Sequence, residues 1–284
     1  MVSISTGRNI RFVKYKKDEN IIAPIGTIKN IILKSGIKKR DGRLVIHSSD
    51  FLGWRRQEFE CITLILLVDV SSSTFPYIEV FSKMLQSLIS YFNKNKDRIG
   101  LISLQRNQAR ILNHPTHNFR VILRSLGKLE IYGQTPLADG LLKALAMAKL
   151  ERHKNEGSKS IVILLSDCYP EPITGKYENI LDEPAYVETM NAASLYKKKK
   201  VKLLLIKPTG PTKKDLPGEK LAKIIKERSG GKVLNLKTIR VLSAKGINIG
   251  MSPRDFQNSV KTIEETFYSR AYGKNRERTL FPET

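Results

Sequence analysis

Apolar and polar positions alternate in blocks along the middle of this 284-residue chain. Residues 62–68 and 160–166 form nearly unbroken apolar runs, which are typical of strands buried on both faces of a parallel sheet. Residues 77–92 instead repeat apolar side chains every three or four positions, which predicts a helix with one buried face. The alternation continues to residue 236 and predicts an α/β fold, in which a doubly wound, mostly parallel sheet carries helices on both faces.

The same pattern divides the chain into three segments and places the remaining elements. Residues 61–240 would form the main domain, after a basic N-terminal extension over 1–60 and before a basic, partly helical tail over 241–284. The stretch 98–112 has two apolar runs around a polar tip, which predicts a hairpin that puts one antiparallel strand at the sheet edge. We further expect strands at Thr27–Leu33, Arg43–His47, Val201–Ile206 and Lys232–Leu236, and helices at Phe119–Leu126, Leu137–Leu150, Ala185–Lys199, Glu219–Ser229 and Ser252–Tyr268.

Oxygen-bearing side chains follow two of the predicted central strands. Asp69, Ser71 and Ser73 come at the end of one strand, and Asp167 comes directly after another. Parallel sheets bind ligands beyond the carboxyl ends of their strands, so we expect both carboxylates at an exposed edge of the sheet. Oxygen ligands of this kind are those that Mg²⁺ prefers.

Each of these residues also has a simpler explanation when it is taken alone. Thr135 precedes Pro136 at a predicted helix start, which is the arrangement of an N-cap followed by proline. A cluster of serines, such as residues 71–73, is a common way to leave a strand and begin a loop. The combination of positions is what points to a metal site.

That combination resembles a known family. The segment Asp69-Val70-Ser71-Ser72-Ser73 is similar to the Asp-x-Ser-x-Ser signature of the von Willebrand factor A, or integrin I-like, domain. In that family a later threonine and aspartate complete a metal-ion-dependent adhesion site, and Thr135 and Asp167 fall at the matching positions. The resemblance implies a Mg²⁺ ion close to the two serines and the threonine, with the aspartates acting directly or through water. It also implies that a carboxylate of a binding partner takes the remaining coordination position.

Two further stretches resemble the C-terminal domain of the magnesium chelatase D subunit. They are residues 133–148, with the sequence GQTPLADGLLKALAMA, and the hairpin region 97–116; the basic stretch around 42–58 also has a counterpart there. The resemblance implies a non-enzymatic interaction subunit whose partner is a AAA+ ATPase, or its target, offering an Asp or Glu to the metal. The chelatase subunit also carries a AAA+ module and an acidic linker, but the first 60 residues here contain no Gly-x-x-x-x-Gly-Lys-Ser/Thr phosphate loop. The tail beyond about residue 245 has no match in that family.

The charge of the chain leaves a second function open. The formal net charge is +23, yet residues 61–196 hold 15 Lys and Arg against 13 Asp and Glu, so the flanks carry the excess. Residues 197–284 alone hold 22 against 8. Such a flank can attract nucleic acid, an anionic membrane surface or an acidic protein, and an RNA- or DNA-associated A domain is the alternative. The lysine run 197–200 has Tyr196 as its adjacent ring, which is little for base stacking.

Other classes of function have less support in the sequence. An aspartyl phosphotransferase of the haloacid dehalogenase type needs a second acid at position 71, and a serine hydrolase typically has Gly-x-Ser-x-Gly, which the chain lacks. Two cysteines, Cys61 and Cys168, are read as ordinary thiols. No apolar stretch approaches the length of a membrane span, and residues 1–10 do not have the form of a signal peptide, so we expect a cytoplasmic protein. The four histidines are scattered, and we expect His114 and His117 to be solvated loop residues.

Overall fold

The structure is a computed structural model. It describes residues 8–15, 21–35, 39–40, 43–44, 46–57, 62–131, 133–155, 158–208, 216–243 and 246–268. The chain divides into two compact units, residues 1–59 and residues 60–284, and each is described by itself.

The first unit combines a small antiparallel sheet with one helix. Strands β1 (Arg8–Lys14) and β2 (Ile21–Ile22) flank β5 (Leu52–Gln57), while β3 (Lys39–Arg40) and β4 (Arg43–Leu44) form a separate pair. Helix α1 spans Pro24–Ser35. The strand predicted over Arg43–His47 is observed only at Arg43–Leu44. Ile46 and His47 are not in a strand, and residue 45 lies outside the described residues.

The predicted strand at Thr27–Leu33 is wrong, because these residues lie inside α1. Pro24 is at the first position of the helix, where its missing N–H costs nothing. Thr27 and Ile31, four residues apart, are both buried, and the Thr27 hydroxyl accepts a hydrogen bond from the Leu52 N–H at 3.0 Å. This contact with β5 explains why the short apolar run forms a helix and not a strand.

The second unit has a six-stranded sheet in the order β11-β10-β9-β6-β7-β8. All neighbouring strands are parallel except β7 and β8, so the predicted α/β fold with one antiparallel edge strand is confirmed. All eight residues of β6 are buried, as its apolar sequence predicts. The strands are β6 (Ile62–Asp69), β7 (Arg98–Gln105), β8 (Gln108–Thr116), β9 (Lys159–Leu165), β10 (Lys202–Pro208) and β11 (Lys232–Leu236).

Six helices cover the two faces of this sheet. One layer of core contains Phe81 and Phe119 together with Ile263, and the other contains Leu141 and Tyr196. The first layer belongs to α2, α3 and α7, and the second to α4, α5 and α6. The helices are α2 (Ile78–Asn95), α3 (Phe119–Leu126), α4 (Leu137–Lys154), α5 (Pro184–Lys198), α6 (Pro217–Ser229) and α7 (Pro253–Tyr268).

The C-terminal part of the described chain adds to this core. Helix α7, predicted from its apolar stripe, packs against α2 and β11 through the buried side chains Val260 and Ile263. A hairpin of β12 (Ile239–Ser243) and β13 (Gly246–Gly250) was not predicted. No helix in the described ranges is long and apolar enough to span a bilayer.

The topology leaves a crevice at the carboxyl ends of β6 and β9. The chain runs from β6 outward to β7 and β8, and then returns to the other side of β6 to form β9. Strand order therefore reverses between β6 and β9, and ligands of open α/β sheets bind at such a switch point. Asp69 ends β6, and Asp167 follows β9 by two residues.

Candidate metal centre

The five side chains predicted for a metal site meet at this crevice. The Thr135 hydroxyl donates to Asp69 Oδ1 at 3.2 Å, and the Ser73 hydroxyl donates to Asp167 Oδ2 at 2.5 Å. Ser71 joins the two pairs, because its N–H donates to Asp69 Oδ1 at 2.9 Å and its Oγ lies 3.1 Å from Ser73 Oγ. Residues from three separate parts of the chain thus form one hydrogen-bonded group.

The tight turn after β6 gives both serines their positions. The Ser71 carbonyl oxygen accepts hydrogen bonds from the N–H groups of Thr74 and Phe75, at 3.1 and 2.9 Å. Residues 71 and 73 therefore present their hydroxyls on the same side of the turn, next to Asp167. Thr74 points inward and is fully buried.

Asp69 is buried, so the expectation that both carboxylates lie at an exposed edge is wrong for this residue. Its side chain has no exposed surface, whereas Asp167 is half-buried. Burial raises the pKa of Asp69 to about 6 from 3.8, and the nearby carboxylate of Asp167 adds to the increase, while hydrogen bonds from Ser71 and Ser166 oppose it. A cation between the two carboxyl groups would relieve this repulsion.

Thr135 does not cap α4, contrary to its simplest interpretation. The helix begins at Leu137, and no side chain forms a cap hydrogen bond at its start. The backbone of Thr135 is instead fixed by its carbonyl oxygen, which accepts from the N–H groups of Leu137 and Glu171 at 2.8 and 3.0 Å. Its hydroxyl is then available to Asp69.

Ser166 belongs to the same group, although the sequence analysis did not select it. Its hydroxyl donates to Asp69 Oδ2 at 2.9 Å and accepts from the Cys168 N–H at 3.0 Å. Both oxygens of Asp69 are therefore engaged, and the turn that carries Asp167 is tied to β6. A polar residue at the end of an otherwise apolar strand, next to Asp167, was the available signal.

The turn at Asp167 is tightly constrained by its neighbours. Cys168 has φ +64°, in the left-handed region that few non-glycine residues adopt. At Gly218, in the first turn of α6, an added Cβ would come within 2.5 Å of the Asp167 carbonyl oxygen, so only glycine allows this approach. Cys168 is fully buried, and burial raises the pKa of its thiol far above the ordinary value, which fits an inert thiol. Cys61 lies outside the described residues.

A second close approach positions Thr135. Gly140, in the first turn of α4, lies against the side chains of Leu104 and Leu67, and an added Cβ would overlap with Leu104. Asp139 also anchors this turn, since its carboxylate accepts from the Ala109 N–H at 2.7 Å. The start of α4 is therefore pressed onto β6, β7 and β8, beside Asp69.

The donor set fits a hard divalent cation. Two carboxylates and three hydroxyls are oxygen ligands of the kind that Mg²⁺ prefers. Within the ranges that the structure describes, no three or more His, Cys, Asp or Glu side chains are grouped so that they could hold a metal ion by themselves, and hydroxyls make up most of the candidate set. His114 and His117 are both exposed, but the expectation of a loop is wrong for His114, which lies in β8. His117 follows that strand, and its Nδ1 lies 2.9 Å from the Asp97 carbonyl oxygen, at the opposite end of β7.

Comparison with known proteins identifies the domain that carries this site. Residues 64–169, which include all five candidate side chains, match the profile of the von Willebrand factor type A domain. The chain contains a von Willebrand factor type A domain. Its A domain also shares its fold with a mutant of the PilB minor pilin from Streptococcus sanguinis, at a TM-score of 0.52 and 12% identity over 81% of this chain and 66% of the pilin.

Two curated proteins share sequence with this chain. The magnesium-chelatase 60 kDa subunit of Rhodobacter capsulatus is 27% identical over 158 residues, which are 53% of this chain and 28% of that protein. An uncharacterized protein of Mycobacterium tuberculosis is 28% identical over 116 residues, which are 39% of this chain and 18% of that protein. The chain thus spans less than a third of the length of these relatives, and its A domain resembles that of the chelatase subunit.

Proposed function

We propose that the A domain binds Mg²⁺ through Asp69, Ser71, Ser73, Thr135 and Asp167 and uses it to hold an acidic side chain of a partner protein. In this role the chain is a non-enzymatic interaction subunit. The observation that carries the proposal is the hydrogen bond of 3.2 Å between Thr135 and Asp69, residues 66 positions apart in sequence. Thr135 could have capped α4, but its hydroxyl donates to the carboxylate of Asp69.

Each residue would contribute in a different way. Asp167, half-buried, and the hydroxyls of Ser71 and Ser73 face the crevice and would contact the ion most directly. Asp69 accepts hydrogen bonds from three donors, and its carboxylate would balance the positive charge of the ion from the buried side of the site. Bound Mg²⁺ would supply a hard positive charge that an anionic oxygen satisfies better than any neutral group.

The class of partner follows from the chelatase resemblance alone. We propose a AAA+ ATPase, or a protein on which such an ATPase acts, as the source of the Asp or Glu. The loop at residues 168–183 lies next to Asp167 and includes Glu171, Glu178 and Asp182 but only one basic residue, Lys176. A partner carboxylate would therefore approach an acidic rim, and its attachment would depend on the metal rather than on nearby lysines.

Titration of Mg²⁺ into the full chain by calorimetry tests the metal site. Asp69→Ala and Thr135→Ala should abolish binding or weaken it at least tenfold, whereas Thr135→Ser, which keeps the hydroxyl, should bind within about threefold of wild type. Thr262→Ala is the matched control, because this threonine bonds within α7 to the Asn258 carbonyl oxygen. Unchanged Mg²⁺ affinity in Thr135→Ala would contradict the proposed ligand set.

Affinity capture tests the interaction itself. Immobilised chain should retain a protein in Mg²⁺ that EDTA releases, and Asp167→Ala should retain none. The captured protein is then purified, and its acidic residues are replaced one at a time. The replacement that abolishes Mg²⁺-dependent capture identifies the side chain that binds the ion. Equal capture by wild type and by Asp69→Ala in Mg²⁺ would refute the docking role.

A further inference from the structure

Positive charge gathers at the end of the second unit opposite the candidate metal centre. Helices α4, α5 and α6 pack side by side on one face of the sheet, and each leads into a parallel strand, so all three end at the amino ends of the strands. The ends of α4 and α5 touch, because Arg152 Nη2 donates to the Lys199 carbonyl oxygen at 2.8 Å. We call this surface the basic end; it consists of Arg152, Lys154, Lys197, Lys198, Lys199 and Lys200.

The acidic side chains nearby do not cancel this charge. In the last turns of the three helices, as far as the structure describes them, the acidic residues are Glu151 and Glu227. Glu151 is buried and paired with Arg98 at 2.5 Å, besides Lys154 at 3.4 Å. Glu227 lies on α6 between the exposed residues Lys226 and Arg228, which extend the basic end.

Compensation of the helix dipoles explains only part of the charge. The carboxyl end of a helix carries roughly half a negative charge, so about one cation is enough to compensate the ends of α4 and α5 together. The basic end has six cationic side chains, and all four lysines of the run 197–200 are exposed. Roughly five positive charges are left to act on something outside the chain.

The composition of the basic end favours phosphate over protein or lipid. Protein interfaces have an apolar centre and are depleted in lysine, and membrane-surface helices insert apolar side chains. In the described residues of this end, the one exposed large aliphatic side chain is Leu150, and Tyr196 is fully buried. The exposed aromatic rings of the described chain, Phe12, Tyr169 and Tyr177, belong to other regions, so no ring is available here for base stacking.

The geometry points to a second binding surface: the basic end holds a nucleic-acid duplex through its phosphates, without reading its sequence. Lysines spread over neighbouring helix ends, which lie about 8–10 Å apart, suit the regular charges of a duplex backbone. Because this surface lies at the amino ends of the strands and the metal centre at their carboxyl ends, one chain can hold a duplex and a metal-dependent partner together.

Fluorescence anisotropy of a labelled 24-base-pair DNA duplex of random sequence tests this assignment. The full chain is titrated in EDTA at 50 to 300 mM KCl, so that the metal centre takes no part. The test variant replaces Lys197, Lys198, Lys199 and Lys200 with Gln. The matched control replaces four exposed lysines elsewhere in the same unit, Lys128, Lys176, Lys220 and Lys223, with Gln and so has the same net charge.

We expect the wild type to bind with a steep salt dependence and the test variant to bind at least tenfold more weakly at 100 mM KCl. Each lost phosphate contact lowers the slope of log affinity against log salt by about 0.9, so the test variant should lose up to about 3.6. The control should stay within about twofold of wild type. Circular dichroism melting of both variants within about 2 °C of wild type shows that the fold is kept.

Several results would overturn the assignment. Absence of duplex binding by the wild type at 50 mM KCl would do so, as would equal losses in the test and control variants, which would mean diffuse attraction by net charge. Tighter binding of polyglutamate would assign the surface to an acidic protein segment. Tighter binding of vesicles of phosphatidylcholine with phosphatidylserine would assign it to a membrane.

Discussion

Replacing Asp69 with Asn should stabilise the metal-free protein while removing its ability to bind Mg²⁺. Asn keeps the shape of the side chain, and its oxygen can still accept from the Ser71 N–H and the Thr135 hydroxyl. Its amide can donate to Ser166, whose hydroxyl has a second lone pair. The substitution therefore removes a buried charge and keeps the same hydrogen-bonded pairs, with the direction of the Ser166 bond reversed.

The magnitude follows from the pKa of Asp69. The pKa is about 6 in the folded protein and 3.8 for an ordinary aspartate, so folding favours the neutral form by about 3 kcal/mol. This stability is fully present below pH 3.8 and is lost as the pH rises through 6. At pH 8 in EDTA, we expect Asp69→Asn to raise the free energy of unfolding by about 1–3 kcal/mol.

Urea unfolding in EDTA between pH 5 and pH 8, followed by circular dichroism, measures the effect. Circular dichroism is preferred because the single tryptophan, Trp54, lies in the first unit, whereas Asp69 lies in the second. The wild type should lose stability as the pH rises, and Asp69→Asn should change much less. Asp182→Asn, at an exposed carboxylate, is the control and should follow the wild type.

Magnesium supplies the second half of this test. At a concentration 100 times its dissociation constant, a ligand that binds only the folded state adds about 2.7 kcal/mol. Mg²⁺ should therefore restore the wild type at pH 8 and leave Asp69→Asn unchanged. If Asp69→Asn were less stable than wild type at pH 8 in EDTA, the argument from the buried charge would be refuted.

Three further substitutions test other parts of the site. Thr74→Val should stabilise the protein by about 1 kcal/mol in urea unfolding, because the buried Thr74 hydroxyl has no partner among the described residues; a loss of stability would show that it has one. Gly140→Ala should cost about 1–3 kcal/mol and weaken Mg²⁺ binding in calorimetry, since the added methyl group pushes the start of α4 away from Leu104. Ser166→Ala should weaken Mg²⁺ binding more than Ser166→Thr, which keeps the hydroxyl; equal effects would mean that the bond to Asp69 is unimportant.

The central sheet was predictable because its strands are buried on both faces. Runs such as Ile62–Val68 leave no polar face and can be accommodated only at the centre of a covered sheet. The segment Thr27–Leu33 was not predictable in the same way, since a short apolar run with β-branched residues fits either period. Its contact with β5, through Thr27 and Leu52, decides the outcome and is not visible in the local sequence.

Which residues form the candidate site could be predicted from the sequence, but how their side chains interact could not. Spacing along the chain selected Thr135, but the direction of its hydroxyl depends on where α4 begins and on the backbone bond from Glu171. The burial of Asp69 depends on elements from three parts of the chain that close around it, so its raised pKa could not be derived from sequence. Ser166 shows the same limit, because its role depends on a contact across 97 residues.

The edge strand β8 bears on how the protein behaves when it is concentrated. An open sheet edge offers a row of unpaired amides that can template a strand from another molecule. In β8 this row is interrupted by Pro115, which has no amide hydrogen, and by shifts in the pairing with β7 around Ile99–Ile102. At the other edge β11 has only five residues, and α7 packs against it. Both borders of the sheet therefore discourage strand addition, and this favours molecules that stay separate over molecules that assemble into fibres.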